Sequence, residues 1–295
     1  MSRLLALLTA ALLLAGCGAD DDNRSGGAAA SGDDPQRIVS LHPYTLNAML
    51  DIGVVPDGTM DLEGAAILPE HRQRADAIPV VGANVDVNFE RVAELGPDLI
   101  LGSQVPGVDY GREKLERLAP TELFEMQVPG DWQRVAIQTA DALGRRAEGD
   151  AVKRRYEDRV AELRETYAGQ LRDTTFALLR GAGPNFQAND RTSWAGVVLD
   201  DLGVRFARLS RDTGPGPVTE HSFEDIAGLR DADVILVEGD PDSDEPQPES
   251  RKLMDQPLWD DLPADVVEPL RFFYPMSYGQ GLAVLDQLEE ILRQR

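Results

Sequence analysis

The amino-acid sequence predicts an α/β protein of two lobes, each built on a mainly parallel sheet, bridged by a single long helix. Three observations carry that reading. Short β-branched strands alternate with short amphipathic helices in both halves of the chain, the pattern of parallel sheets. Between the halves, Ala147 to Tyr167 reads as one charged helix with a single apolar stripe at Val152, Tyr156, Val160, Leu163 and Tyr167. Two phrases then recur in the same order on either side of it. Leu50-Asp51-Ile52-Gly53-Val54 returns as Leu199-Asp200-Asp201-Leu202-Gly203-Val204, and Phe89-Glu90-Arg91-Val92-Ala93-Glu94-Leu95 returns as Phe223-Glu224-Asp225-Ile226-Ala227-Gly228-Leu229.

Arg37 to Leu41 is an apolar, β-branched strand. His42-Pro43-Tyr44 stops it, and Thr45 to Ile52 has helical spacing closed by Gly53. Val54-Val55 and Pro79 to Gly82 read as short strands, with a polar loop carrying Glu63 to Arg74 between them. The Phe89 helix stops at Gly96-Pro97 and leads into the strand Asp98 to Leu101. Gly111 to Leu118 reads as a helix, Leu123 to Met126 as a strand, and Trp132 to Leu143 as an amphipathic helix. After the bridging helix, Thr175 to Leu179 is a strand ending at Arg180-Gly181-Ala182-Gly183-Pro184. A loop to Ser193 follows, then a helix from Trp194 to Leu202 closed by Gly203. The second Phe-Glu helix precedes a strand at Val234 to Leu236. Asp240 to Glu249 is an acidic, Pro-rich loop, and Gly281 to Arg293 is the closing helix. At about 1.5 Å per residue the bridging helix spans roughly 30 Å, enough to run from one lobe to the other.

A chain of 295 residues is long enough for one large or two medium domains with well-buried cores. Its formal charge of −23, with no basic run, argues against nucleic acid as a partner. Near the start, Arg3 precedes an apolar run from Leu4 to Ala15, too short to span a bilayer and typical of an export signal. It ends in Leu14-Ala15-Gly16-Cys17, which resembles the lipobox of bacterial lipoproteins. Cys17 is the only cysteine, so it has no disulfide partner in the chain, and its position suits lipidation. The Gly, Ala, Ser and Asp that follow have nothing to bury and read as a disordered tether. The expected organisation is therefore a signal peptide at 1–16, lipidated Cys17 and tether at 17–35, one lobe at 36–145, the bridging helix at 146–170 and a second lobe at 171–295.

Residues 36 to 295 resemble the class III, helical-hinge substrate-binding proteins of bacterial ABC importers for ferric siderophores, haem and cobalamin. The resemblance rests on Arg37-Ile38-Val39-Ser40-Leu41, on Pro43 with Gly53, and on Asn88-Phe89-Glu90-Arg91-Val92 leading to Pro97-Asp98-Leu99-Ile100. Ser222-Phe223-Glu224, Pro257-Leu258-Trp259 and Leu262-Pro263-Ala264 continue it. It implies two Rossmann-like lobes with the ligand in the cleft between them. It implies also that Glu90 and Glu224, one per lobe, dock to arginines of the permease, where opposed charges fix register and steer encounter. The same glutamates open their helices and favour the dipole there, which needs no partner. The chain departs from the family pattern at Leu46-Asn47, where many members carry Thr-Glu, and at Asp265-Val266-Val267-Glu268, where basic residues are usual.

In open parallel sheets ligands bind outside the carboxyl ends of strands. That rule selects His42 to Tyr44, Gly102 to Gln104, Arg180 to Asn185 and Glu238 to Asp240. Arg180 resembles an arginine that siderophore binders use against anionic iron complexes, since a guanidinium stays charged and offers several donors. Tyr44, Gln104, Arg191, Trp194 and Tyr274 are the further ligand candidates, the aromatics as flat walls. Trp194 and Tyr274 serve equally as core, and Arg191 as plain surface. A bare metal ion needs clustered ligands, and His42, His71 and His221 are far apart in sequence. Haem remains open through His42 or a tyrosine. No Gly-x-Ser-x-Gly elbow or phosphate loop supports catalysis. The expectation is an importer's binding lipoprotein and not an enzyme, monomeric, with no intrinsic cofactor and a ferric siderophore as cargo. Cobalamin or haem binding is the alternative within the family; an exported lipoprotein enzyme or scaffold is the alternative outside it.

Overall fold

The computed structural model describes residues 37–61, 66–83 and 85–295. The expected signal segment, Cys17 and the tether to residue 35 lie outside the described residues.

The first half supplies β1 (Ile38–Ser40), α1 (Pro43–Asp51), β2 (Gly58–Thr59), α2 (Pro69–Ala75), β3 (Gly82–Ala83), β4 (Asp86–Val87) and α3 (Phe89–Leu95). Then come β5 (Leu99–Gln104), α4 (Arg112–Leu115), β6 (Thr121–Glu125) and α5 (Trp132–Ala142). Strands β2-β1-β5-β6 form one all-parallel sheet, with β3–β4 a separate small hairpin. After α6 (Arg146–Thr166) and α7 (Ala168–Asp173), the second half supplies β7 (Thr175–Ala182), β8 (Asn185–Asn189), α8 (Trp194–Leu202), β9 (Arg205–Phe206) and α9 (Arg208–Arg211). It closes with β10 (Val218–Ser222), β11 (Val234–Glu238), α10 (Pro248–Met254), β12 (Val266–Leu270) and α11 (Tyr278–Arg293). The second sheet runs β10-β8-β7-β11-β12, with β9 beside the start of β7.

The recurrent Leu-Gly-Val phrase has one geometry in both halves. Gly53 (φ 78°) and Gly203 (φ 76°) each take the left-handed conformation that closes a helix. Gly53 N–H donates to Leu50 O and Val54 N–H to Met49 O; Gly203 and Val204 repeat this on Asp200 and Leu199. That closure draws Val54 back onto α1, so the expected strand at Val54-Val55 does not form and β2 begins at Gly58. The Phe-Glu phrase is less symmetric. Asn88 caps α3, a true α-helix, by accepting from Arg91 N–H, whereas Phe223–Leu229 is a 3₁₀ helix opened by Ser222 and Asp225. Three further expectations shift. Part of the polar loop expected across Glu63 to Arg74 folds as α2, started by Pro69. Gly111 to Leu118 yields only the single turn α4. The expected loop to Ser193 is instead β8, because the turn at Gly183-Pro184 sends the chain back antiparallel along β7, making the second sheet mixed.

Period-two alternation sorts each sheet into two faces. Val39, Leu41, Ile100 and Leu123 pack on the outer face of the first sheet, and Ala177, Leu179, Ile235 and Val237 on the outer face of the second. Ile38, Leu99, Leu101 and Phe124 join Phe176, Leu178, Val234 and Leu236 in one continuous core with α5, α6, α8 and α11. The stripe on α6 enters this core as expected. Specific ties also cross between the halves. Gly130 N–H donates to Thr192 O at 2.9 Å, Trp132 Nε1 to Trp194 O at 3.2 Å and Gln133 Nε2 to Asp201 Oδ2 at 2.7 Å. At the start of α11, Gly279 N–H donates to Asp51 Oδ2 at 2.7 Å. Arg72 meets Asp242 at 2.7 Å.

Candidate functional site

At the carboxyl ends of β1, β5 and β6 the chain leaves the sheet in three loops that share one wall of a cavity of about 410 Å³. His42, Pro43 and Tyr44 come from the first loop, Val105 and Pro106 from the second, and Met126 to Pro129 from the third; Trp194 and Met276, from the second half of the chain, complete the lining. The lining is almost wholly apolar, the character of a site for a bulky organic ligand. A second cavity of about 450 Å³ beside Asp51, His71, Arg155, Arg271 and Asp286 is lined by opposed charges and by the start of α11. It lies away from the strand ends of the first sheet, so the apolar cavity is the candidate site.

Tyr44 is buried at the start of α1 and stacks on His42, with ring centroids 4.9 Å apart. Burial pushes the Tyr44 phenol well above its ordinary range and lowers the His42 imidazole to about 4, so both groups are neutral around pH 7. Trp194, the first residue of α8, meets Tyr274 edge to face at 4.9 Å. Tyr274 in turn lies under the guanidinium of Arg180, 6.0 Å from its ring centroid. Arg180 and Glu238 extend the even-numbered face of neighbouring strands that carries Phe176, Leu178, Val234 and Leu236, because Leu179 pairs with Val237 in register. Their side chains meet at 3.4 Å, Nε to Oε2. Burial raises the Glu238 carboxyl despite the opposing pull of Arg180, and raises Tyr274, which Glu238 pushes further. Arg180 Nε, Trp194 Nε1 and the Tyr274 hydroxyl are buried without a well-formed hydrogen bond among the described residues.

The structure thus brings Tyr44 and Trp194 to the cavity itself, with Tyr274 and Arg180 behind Trp194. Gln104 falls elsewhere: with Ile100 and Gly102 it faces the outer side of its sheet, and its amide donates to Val105 O and Val108 O. It braces the Val105–Pro106 loop instead of lining the cavity. Arg191 is exposed and lies 3.6 Å from Asp200. Met126 to Pro129 and Met276 were not singled out by sequence. The rule that selected the ends of β1 and β5 selects the end of β6 equally, whereas nothing in the sequence marks Met276. Glu90 and Glu224 are exposed, and neither side chain has a hydrogen bond or ion pair among the described residues. Among those residues no group of three or more His, Cys, Asp or Glu is placed to hold a metal ion, and no helix is long and apolar enough to cross a membrane.

The family model described as periplasmic binding protein matches residues 38–265. Among solved structures, the chain is similar to the siderophore periplasmic binding protein from the fuscachelin gene cluster of Thermobifida fusca. The two are 35% identical with a TM-score of 0.80, covering 89% of this chain and 98% of that one. The chain is 27% identical over 173 residues to the probable siderophore-binding lipoprotein YfiY of Bacillus subtilis, spanning 58% of this chain and 52% of that relative, about half its length. To the iron(3+)-hydroxamate-binding protein FhuD of Escherichia coli it is 25% identical over 243 residues, 78% of this chain and 76% of the relative.

Proposed function

The chain belongs to the periplasmic binding protein family, and from that premise we propose that it is the substrate-binding lipoprotein of an ABC importer for a ferric siderophore. The observation that carries the proposal is the apolar cavity at the strand ends, lined by the aromatic rings of Tyr44 and Trp194 among others. A bulky organic chelate fits such walls; a bare ion does not. Lobes at 36–145 and 171–295 hold the chelate between them, and the helix within 146–170 fixes their spacing. Tyr274 and Arg180 back the Trp194 wall, Gln104 shapes the Val105–Pro106 loop, and Arg191 contributes from the surface. Glu90 and Glu224 are exposed carboxylates with no side-chain partner among the described residues, which suits docking to cationic groups on a permease. Lipidated Cys17 tethers the exported, monomeric protein to the membrane. The protein performs no chemistry on its cargo and uses no cofactor of its own. Tryptophan fluorescence, titrated with ferric siderophores, cobalamin and haem, is the test. Saturable quenching by a ferric siderophore is expected. Saturation by cobalamin or haem alone moves the cargo to that class, and no saturable response to any of the three sinks the proposal.

A further inference from the structure

Arg180 does not face the cleft as an isolated charge: its Nε side lies against Glu238. It and Glu238 leave the ends of adjacent parallel strands on the same face, so their contact at 3.4 Å is imposed by strand register rather than by a flexible surface encounter. The Glu238 side chain is 18% exposed and that of Arg180 38%, so water screens the pair from the guanidinium side only. Glu249 also lies within the field of Arg180, and its carbonyl crosses directly over Gly181. Two further arginines of these segments are also paired with acids. Arg134 meets Asp131 at 3.1 Å, and Asp131 accepts from the backbone of Gln127 and Val128 in the cavity wall. Arg191 lies 3.6 Å from Asp200. His42, the one lining residue able to become cationic, is neutral near pH 7.

Resting on the reading of the cavity as a ferric-chelate site, the geometry points to Glu238 as a specificity-determining residue. By pairing with Arg180 it sets the cleft to accept an uncharged iron complex, such as a ferric trihydroxamate, and to reject a trianionic ferric tricatecholate. An anionic complex in the cavity finds the guanidinium behind the Trp194 wall already paired with Glu238, on a protein whose formal charge is −23. A neutral complex meets mainly aromatic and aliphatic walls.

Fluorescence titration of the protein and of Glu238→Gln at pH 7, with ferrichrome as the uncharged probe and ferric enterobactin as the trianionic one, tests this. The unaltered protein is expected to bind ferrichrome at least about tenfold more tightly. Glu238→Gln frees Arg180 and is expected to improve ferric enterobactin binding by about tenfold, the scale of one charge contact at intermediate permittivity. Ferrichrome affinity should stay within about threefold, which also reports that the variant is folded. A second measurement needs no variant: raising salt should strengthen ferric enterobactin binding by screening repulsion and leave ferrichrome unchanged. Tighter binding of ferric enterobactin by the unaltered protein, or a weakening of it by salt, overturns the assignment of Glu238 while leaving the siderophore reading intact. Failure of both probes to saturate overturns the two together.

Discussion

Replacing Trp132 by phenylalanine isolates the joint between the two halves. Trp132 is fully buried, stands edge-on to Tyr156 at 6.1 Å and Tyr278 at 5.3 Å, and donates its indole N–H to Trp194 O at 3.2 Å. Phenylalanine keeps an aromatic ring between the two tyrosines. It removes the donor, at a net cost of about 1 kcal/mol for a hydrogen bond of this kind. The smaller ring leaves a void whose walls belong to α5, α6 and α11 and relax only in part, adding about 1 kcal/mol more. A loss of about 2 kcal/mol lowers Tm by roughly 4–8 °C in a domain of this size. Thermal and urea unfolding followed by far-ultraviolet circular dichroism measure it, since indole fluorescence is itself altered. The carbonyl released is that of Trp194, so α8 loses a pin at the cavity wall and chelate affinity should fall as well. An unfolding midpoint unchanged within about 1 °C would refute the view that this contact couples the halves.

Gly53→Ala tests the shared helix closure: the added methyl meets nothing within 4 Å, so its cost of about 1–2 kcal/mol is that of the left-handed backbone alone. A urea midpoint equal to that of the unaltered protein would remove the argument. Gly181→Ala should cost more, since its methyl would lie 1.9 Å from the carbonyl oxygen of Glu249, a backbone atom that moves only with the start of α10; soluble protein of normal stability would contradict this. His42 is neutral in the fold down to about pH 4, while an unfolded imidazole titrates near 6.5. Between those values the unfolded chain holds more protons, so stability falls with falling pH, by about 3 kcal/mol at most from this group. His42→Gln should flatten that part of the pH profile, and an identical slope would exclude His42 as its source. Glu90→Lys with Glu224→Lys should abolish transport while leaving chelate affinity within about twofold; lost binding instead would place these residues in the ligand site.

Local sequence is informative wherever one residue type controls one conformation. The closing glycines at 53 and 203 and the stripe on α6 appear where composition puts them, because helix closure and amphipathic burial depend on a few neighbouring residues. The strand at Val54-Val55 failed for the same kind of reason, misjudged: the Gly53 closure reaches one residue further than propensity suggests. The missed β8 depended on a turn at Gly183-Pro184 whose outcome is settled by the vacant edge of β7, which is tertiary.

The chain by itself determined two α/β halves, a bridging helix and the strand ends at which the apolar cavity lies, since alternation and helical period are written residue by residue. Only the tertiary structure decided which side chains reach the cavity. Gln104 and Ser103 are neighbours at the end of one strand, yet the pleat sends Gln104 to the outer face. Arg180 read as a free cation until strand register set Glu238 beside it. The charge of the site is therefore a property of pairing between distant segments, and pairing is what a linear pattern does not contain.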